Sequence, residues 1–87
     1  MHTVELLEAA IAAAKKLGYR VRTEVLDEGA EGGVCEFGGR RWLFLDARQK
    51  PIEHLHAVLE LLRSKPLPAK LVLAPELDRL VHPRRAA

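Results

Sequence analysis

The chain has 87 residues, of which 30% are charged and 48% apolar, and its net charge is +2. That is one folded domain, in a size range where a single core supplies only about 3 to 5 kcal/mol unless packing or association adds to it. The composition excludes a disordered chain, the charge is too small to argue for nucleic acid by itself, and no apolar run approaches the ~18 residues of a membrane helix.

The single cysteine, Cys35, excludes an intramolecular disulfide and a multi-cysteine zinc knuckle. Asn is absent, and Gln49 and Met1 are the only residues of their types, a bias against thermolabile residues expected of a thermophilic bacterial protein. The N-terminus lacks the basic start and small-residue cleavage site of a signal peptide, so the expected location is the cytoplasm.

The first element is a helix. Thr3 is placed as its N-cap, Glu5 and Glu8 lie in the first two turns, Lys15 and Lys16 complement the dipole at the other end, and Gly18 stops it as a C′ residue. Val4, Leu7, Ile11 and Ala14 form an apolar stripe at helical spacing, with Leu6, Ala10 and Leu17 slightly rotated from it. The alanine-rich flank allows close approach by another element.

Tyr19 to Leu26 alternates, with Tyr19, Val21, Thr23 and Val25 on one side and Arg20, Arg22 and Glu24 on the other, the pattern of a half-buried strand. Asp27 to Glu31 reads as a loop. Two short apolar runs then flank Gly38-Gly39, which fit a two-residue primed turn because both can take φ > 0. That turn fixes a hairpin register: Phe37 with Arg40, Glu36 with Arg41, Cys35 with Trp42, Val34 with Leu43, Gly33 with Phe44. Cys35, Phe37, Trp42 and Phe44 share one face, and Val34, Leu43 and Leu45 share the other with a Glu36/Arg41 ion pair. Neighbouring strands in sequence usually pair, so the three strands are expected as an antiparallel meander.

Pro51 opens a second helix, whose core stripe is Ile52, Leu55, Leu59 and Leu62 with Val58 alongside, running to about Arg63. Ser64 to Pro68 breaks the chain, Lys70 to Ala74 is short and apolar enough for a fourth strand, and Pro75 starts a last helical piece that docks Leu77, Leu80 and Val81. The expected fold is therefore a small α+β domain over residues 1 to 81, ordered α-β-β-β-α-β-α, with an antiparallel three- to four-stranded sheet and two main helices. Residues 82 to 87 read as a flexible basic tail.

Three constellations bear on chemistry. His54 and His56 point about 200° apart on a helix and do not share a metal. Glu53, His56 and Glu60, at i, i+3 and i+7, share one polar quadrant and are the candidate metal ligands or acid–base set, against the plainer reading of a solvated helix face. Cys35, flanked by Phe37, Trp42 and Phe44, is expected to be a buried packing thiol rather than a nucleophile. Arg20, Arg22, Arg40, Arg41 and Arg48 with Trp42 are the candidate nucleic-acid contacts, diluted by Glu24, Glu36, Asp46 and Glu53.

The glycine pair, hairpin, apolar strand and histidine-bearing helix of residues 32 to 63 are loosely similar to the zincin-like peptidases of the ImmA/IrrE type, whose helix bears His-Glu-x-x-His. With His54 as the first histidine, the glutamate falls on Leu55 and the second histidine on Val58, so the resemblance implies a likeness of fold without a zinc pair or a base. Gly-Tyr-Arg-Val-Arg at 18 to 22, Gly-Gly-Val-Cys at 32 to 35, the Gly38-Gly39 turn, the strand ending in Asp46 and Leu-Ala-Pro-Glu-Leu at 73 to 77 resemble a family of small bacterial proteins of about this length. That resemblance carries no activity over to any residue here.

The leading expectation is a non-catalytic interaction module, homodimeric, with no cofactor and with a further protein partner as an alternative to self-association. The surplus of apolar residues on both hairpin faces is the reason to expect a second chain. The alternatives are a weak nucleic-acid-binding protein using the arginines, and a metal-dependent enzyme using Glu53, His56 and Glu60.

Overall fold

The structure, a computed structural model, describes residues 1–27 and 32–83. Its elements run α1 (Thr3–Lys16), β1 (Tyr19–Glu24), β2 (Gly33–Phe37), β3 (Arg40–Asp46), α2 (Pro51–Arg63) and α3 (Pro75–Val81). The class is α+β. Most of the loop placed at 27 to 31 and of the tail at 82 to 87 lies outside the described residues.

The hairpin register stands residue for residue, from Phe37↔Arg40 to Gly33↔Phe44. Gly38 (φ 62°) and Gly39 (φ 72°) supply the left-handed backbone that this turn needs. Gly32 has a different reason to be glycine, since a Cβ there would sit 2.9 Å from the carbonyl oxygen of Phe44.

The sheet is not the expected antiparallel meander. Its order is β1-β3-β2, and β1 pairs with β3 in parallel, from Tyr19↔Arg41 to Glu24↔Asp46. The ladder is prolonged by Ala47 N–H donating to Glu24 O at 2.8 Å. The physical reason lies in the inward face of the hairpin. Strand β3 offers Leu43 and Leu45, whereas β2 offers Val34 and Glu36, so burying Tyr19 and Val21 beside β3 removes more apolar surface from water. Leu43 is 1% exposed and its cross-strand partner Val34 is 52% exposed.

Both long helices lie on that inward side, α1 over β1 and α2 over β3, packed against each other. Ala10, Ala13 and Ala14 are buried where α1 meets its neighbours, which is the use of the alanine flank. The buried set of α1 is Leu6, Ala10, Ala13 and Ala14, rotated from the expected stripe, and Val4 stands in solvent. His2, not Thr3, is the N-cap, and Glu5 reaches back to accept its N–H at 3.2 Å. Gly18 follows the C-cap with φ 95°, as a C′ glycine should. In α2, Leu55, Val58, Leu59, Leu61 and Leu62 are buried, while Ile52 is exposed.

Lys70–Ala74 forms no strand. Leu71 and Leu73 are half-buried along the alanine flank of α1, and Val72 points to solvent at 83% exposure. The segment serves the helical layer rather than a sheet edge. It delivers α3, whose Leu77 and Val81 complete the core and whose last turn is held by Arg63 Nε and Nη2 donating to Leu80 O at 2.9 and 2.5 Å.

The contrast within one cross-strand pair is measurable. Leu43→Ala is expected to lose about 3 kcal/mol in urea unfolding, and Val34→Ala less than about 1 kcal/mol.

Candidate functional site

Because both long helices cover one side, no helix or strand among the described residues forms a layer over the other side of the sheet. Alternation and register place Arg20, Arg22 and Glu24 of β1, Arg40, Trp42, Phe44 and Asp46 of β3, and Cys35 and Phe37 of β2 on this open face. The three rings stand nearly parallel, 8° apart, with centroids separated by 5.5 Å for Phe37–Trp42, 5.6 Å for Trp42–Phe44 and 6.5 Å for Phe37–Phe44. Phe37 is 57% exposed, and Trp42 and Phe44 are half-buried. The guanidinium of Arg20 lies 5.7 Å from the Trp42 ring centroid, within cation–π range. Trp42 Nε1 is buried beneath this cluster and is, among the described residues, the buried side-chain polar atom left without a hydrogen-bond partner.

Cys35 lies on the same face and is exposed, correcting the expectation of a buried packing thiol. The sequence pattern places it correctly beside the aromatics. What it does not show is that α1 and α2 both pack on the opposite face. Sulfur therefore sits at the surface, paired across the ladder with Trp42 and not with a base.

The arginines separate. Arg20, Arg22 and Arg40 share the open face with Trp42, but Arg41 turns to the covered side, where Nη2 donates to Leu17 O at 2.9 Å and the guanidinium lies 4.8 Å from the Tyr19 ring centroid. The expected Glu36/Arg41 ion pair is accordingly not made, although the two residues are in register. Arg22 pairs with Glu24 at 2.9 Å. Arg48 clamps the end of β3: Nε and Nη2 donate to Asp46 Oδ1 and Oδ2 at 3.1 and 2.9 Å, and Nη2 also donates to Leu26 O at 2.9 Å. Arg20 and Arg40 are left with no carboxylate partner among the described residues.

On the opposite side, α2 and the inner face of β2 and β3 leave a groove of about 560 Å³, because no helix covers β2. Glu53, His56 and Glu60 all line it, as their spacing implies, over a floor that includes Leu43, Leu45 and Leu61. Among the described residues no three His, Cys, Asp or Glu side chains stand close enough to hold a metal ion. His54 faces elsewhere, with Nε2 donating to Asp46 O at 2.6 Å. Leu55 and Val58, at the positions of a zincin's glutamate and second histidine, are core residues at 3% and 0% exposure.

One cluster has no signal in the sequence. Tyr19 is buried with Arg41 over its ring and Lys65 Nζ donating to its hydroxyl at 3.2 Å. These residues are far apart in sequence and come from β1, β3 and the segment just after α2, so the parallel pairing of β1 and β3 is needed to bring them together.

Compared with protein-family models, with curated proteins and with solved structures, the chain has no significant match. No helix among the described residues is long and apolar enough to cross a membrane.

The Asp46–Arg48 clamp carries a pH signature. Hydrogen bonds from the Arg48 side chain and backbone, with its charge, hold the Asp46 carboxyl below the usual aspartate range. A carboxyl whose folded pKa is depressed adds stability above its unfolded pKa of about 4 and loses it as pH falls through the folded value. The stability difference between the wild type and Arg48→Ala is therefore expected to be constant at neutral pH and to shrink on acidification below about pH 4, as urea unfolding across that range will show.

Proposed function

We propose that the protein is a non-catalytic interaction module whose working surface is the open face of its sheet, and whose ligand is an apolar protein surface carrying carboxylates. The observation that carries this reading is the row of three nearly parallel rings, with Phe37 more than half in water, on a face that no other element among the described residues covers. Aromatic side chains bring large contact area at low conformational cost and are enriched in interfaces for that reason. Arg20 and Arg40 flank the rings without ionic partners among the described residues, so carboxylates on the ligand would meet two guanidiniums. The reading needs no cofactor. It is supported too by the scatter of the chemically reactive side chains: Cys35 faces solvent opposite Trp42, and His54 is spent on a backbone carbonyl.

A second reading, single-stranded nucleic acid on the same face, is favoured by Arg20 over Trp42. It is the weaker of the two, because on this face two cations without an ionic partner among the described residues give little of the counterion release on which such binding rests.

If the ring row serves docking rather than folding, Phe37→Ser should cost the isolated domain less than about 1 kcal/mol in urea unfolding at dilutions where no association persists. A loss of about 3 kcal/mol, that of a buried Phe, makes the rings part of the core and contradicts the reading. Mixed-sequence single-stranded DNA and RNA at low salt are expected to leave Trp42 fluorescence unchanged. A saturable, salt-sensitive change would establish the second reading in its place.

A further inference from the structure

Resting on the docking-face reading, we propose that the occupant of the open face is a second copy of this chain, packed sheet against sheet with its strands antiparallel to those of the first. The parallel pairing of β1 and β3 sets the charge pattern of this face. In an antiparallel pair, charges at the start of one strand lie beside the end of the other. Here Arg20 is level with Trp42 and Glu24 is level with Asp46, so both strands place the same sign of charge at the same end. The open face therefore changes along its length: Arg40 and Phe37 are level at the turn end, then Arg20 with Trp42 and Cys35, then Arg22 with Phe44, and Glu24 with Asp46 at the far end.

An isologous pair must match this pattern to itself through a two-fold axis. An axis lying along the strands stacks arginine on arginine, and juxtaposed like charges cost several kcal/mol in an interface (roughly 3 or more). An axis lying across the strands turns the copy end for end. It brings the arginine end, Arg40 and Arg20, towards the end of the copy that holds Glu24 and Asp46, while Trp42 and Phe44 of the two chains meet near the axis. Of the two, the second arrangement is the better for both the rings and the charges, with Arg22 in mid-strand offset by its own Glu24. Of the existing pairs, Arg22–Glu24 is a surface contact with both side chains about half exposed and contributes little, whereas Asp46 is held by Arg48, so Glu24 is the carboxylate more readily offered to the copy.

The sheet itself points the same way. Parallel pairs are ordinarily covered on both faces, and the β1–β3 pair has α1 and α2 on one face only. A second sheet laid on the open face completes a helix–sheet–sheet–helix sandwich, with each chain contributing two layers.

Sedimentation equilibrium of the full chain tests this arrangement. The wild type is expected to form a dimer whose dissociation constant rises at least about tenfold in Arg20→Glu and in Phe37→Lys, and falls back towards the wild-type value in the charge-swapped Arg20→Glu/Glu24→Arg chain. Far-UV circular dichroism checks each fold, and if Arg20→Glu does not fold, Arg40→Glu beside the hairpin turn takes its place. A wild type that stays monomeric at the highest attainable concentration overturns the inference, and so does a dimer indifferent to these substitutions. Either result leaves the docking-face reading standing or falling on the stability of Phe37→Ser alone.

Discussion

Strand β3 is hydrogen-bonded along both edges, antiparallel to β2 through the Gly38-Gly39 turn and parallel to β1, and this double pairing places every other part of the molecule. The turn sets which side of the hairpin Leu43 and Leu45 occupy. Their apolar side then decides where α1 and α2 pack, and the helices decide which face of the sheet stays open. Moving the pairing by one residue would carry both leucines to the other face and leave the helices without a floor. The register is thus held by the core as well as by the glycines.

The same pairing shapes the two surfaces that remain. Because β3 is central, β2 stands at an edge beyond the reach of either long helix, and the groove bordered by Glu53, His56 and Glu60 is the space left beside it. Because β1 runs parallel to β3, the open face carries arginines at one end and carboxylates at the other. Neither surface is encoded in a local motif. Both are consequences of strand order.

Strand order is also where the sequence is least legible. The hairpin can be read from residues 33 to 46 alone, since a two-residue glycine turn leaves one register and the pairs count outward from it. The helices of residues 3 to 16 and 51 to 63 are equally plain from apolar spacing and their end signals. Whether β1 joins β2 or β3 depends on comparing Val34 and Glu36 with Leu43 and Leu45 as neighbours for Tyr19 and Val21, a tertiary choice that overrides the habit of sequential strands to pair. The exposure of Cys35 was hidden for a related reason: alternation tells which residues share a face, not which face is covered. Lys70–Ala74 has strand-like composition, but its leucines find the flank of α1. The trio on α2 was legible as a shared quadrant from its spacing, whereas the Tyr19, Arg41 and Lys65 cluster required the fold.

The central claim is that the aromatic face is open in the single chain and covered when the protein works. Trp42 is the only tryptophan and lies in the middle of that face, so quenching of its fluorescence by acrylamide, followed as a function of protein concentration, addresses the claim directly. The account predicts ready quenching in dilute solution and progressive protection as concentration rises. A quenching constant that is the same from the most dilute to the most concentrated sample would contradict it.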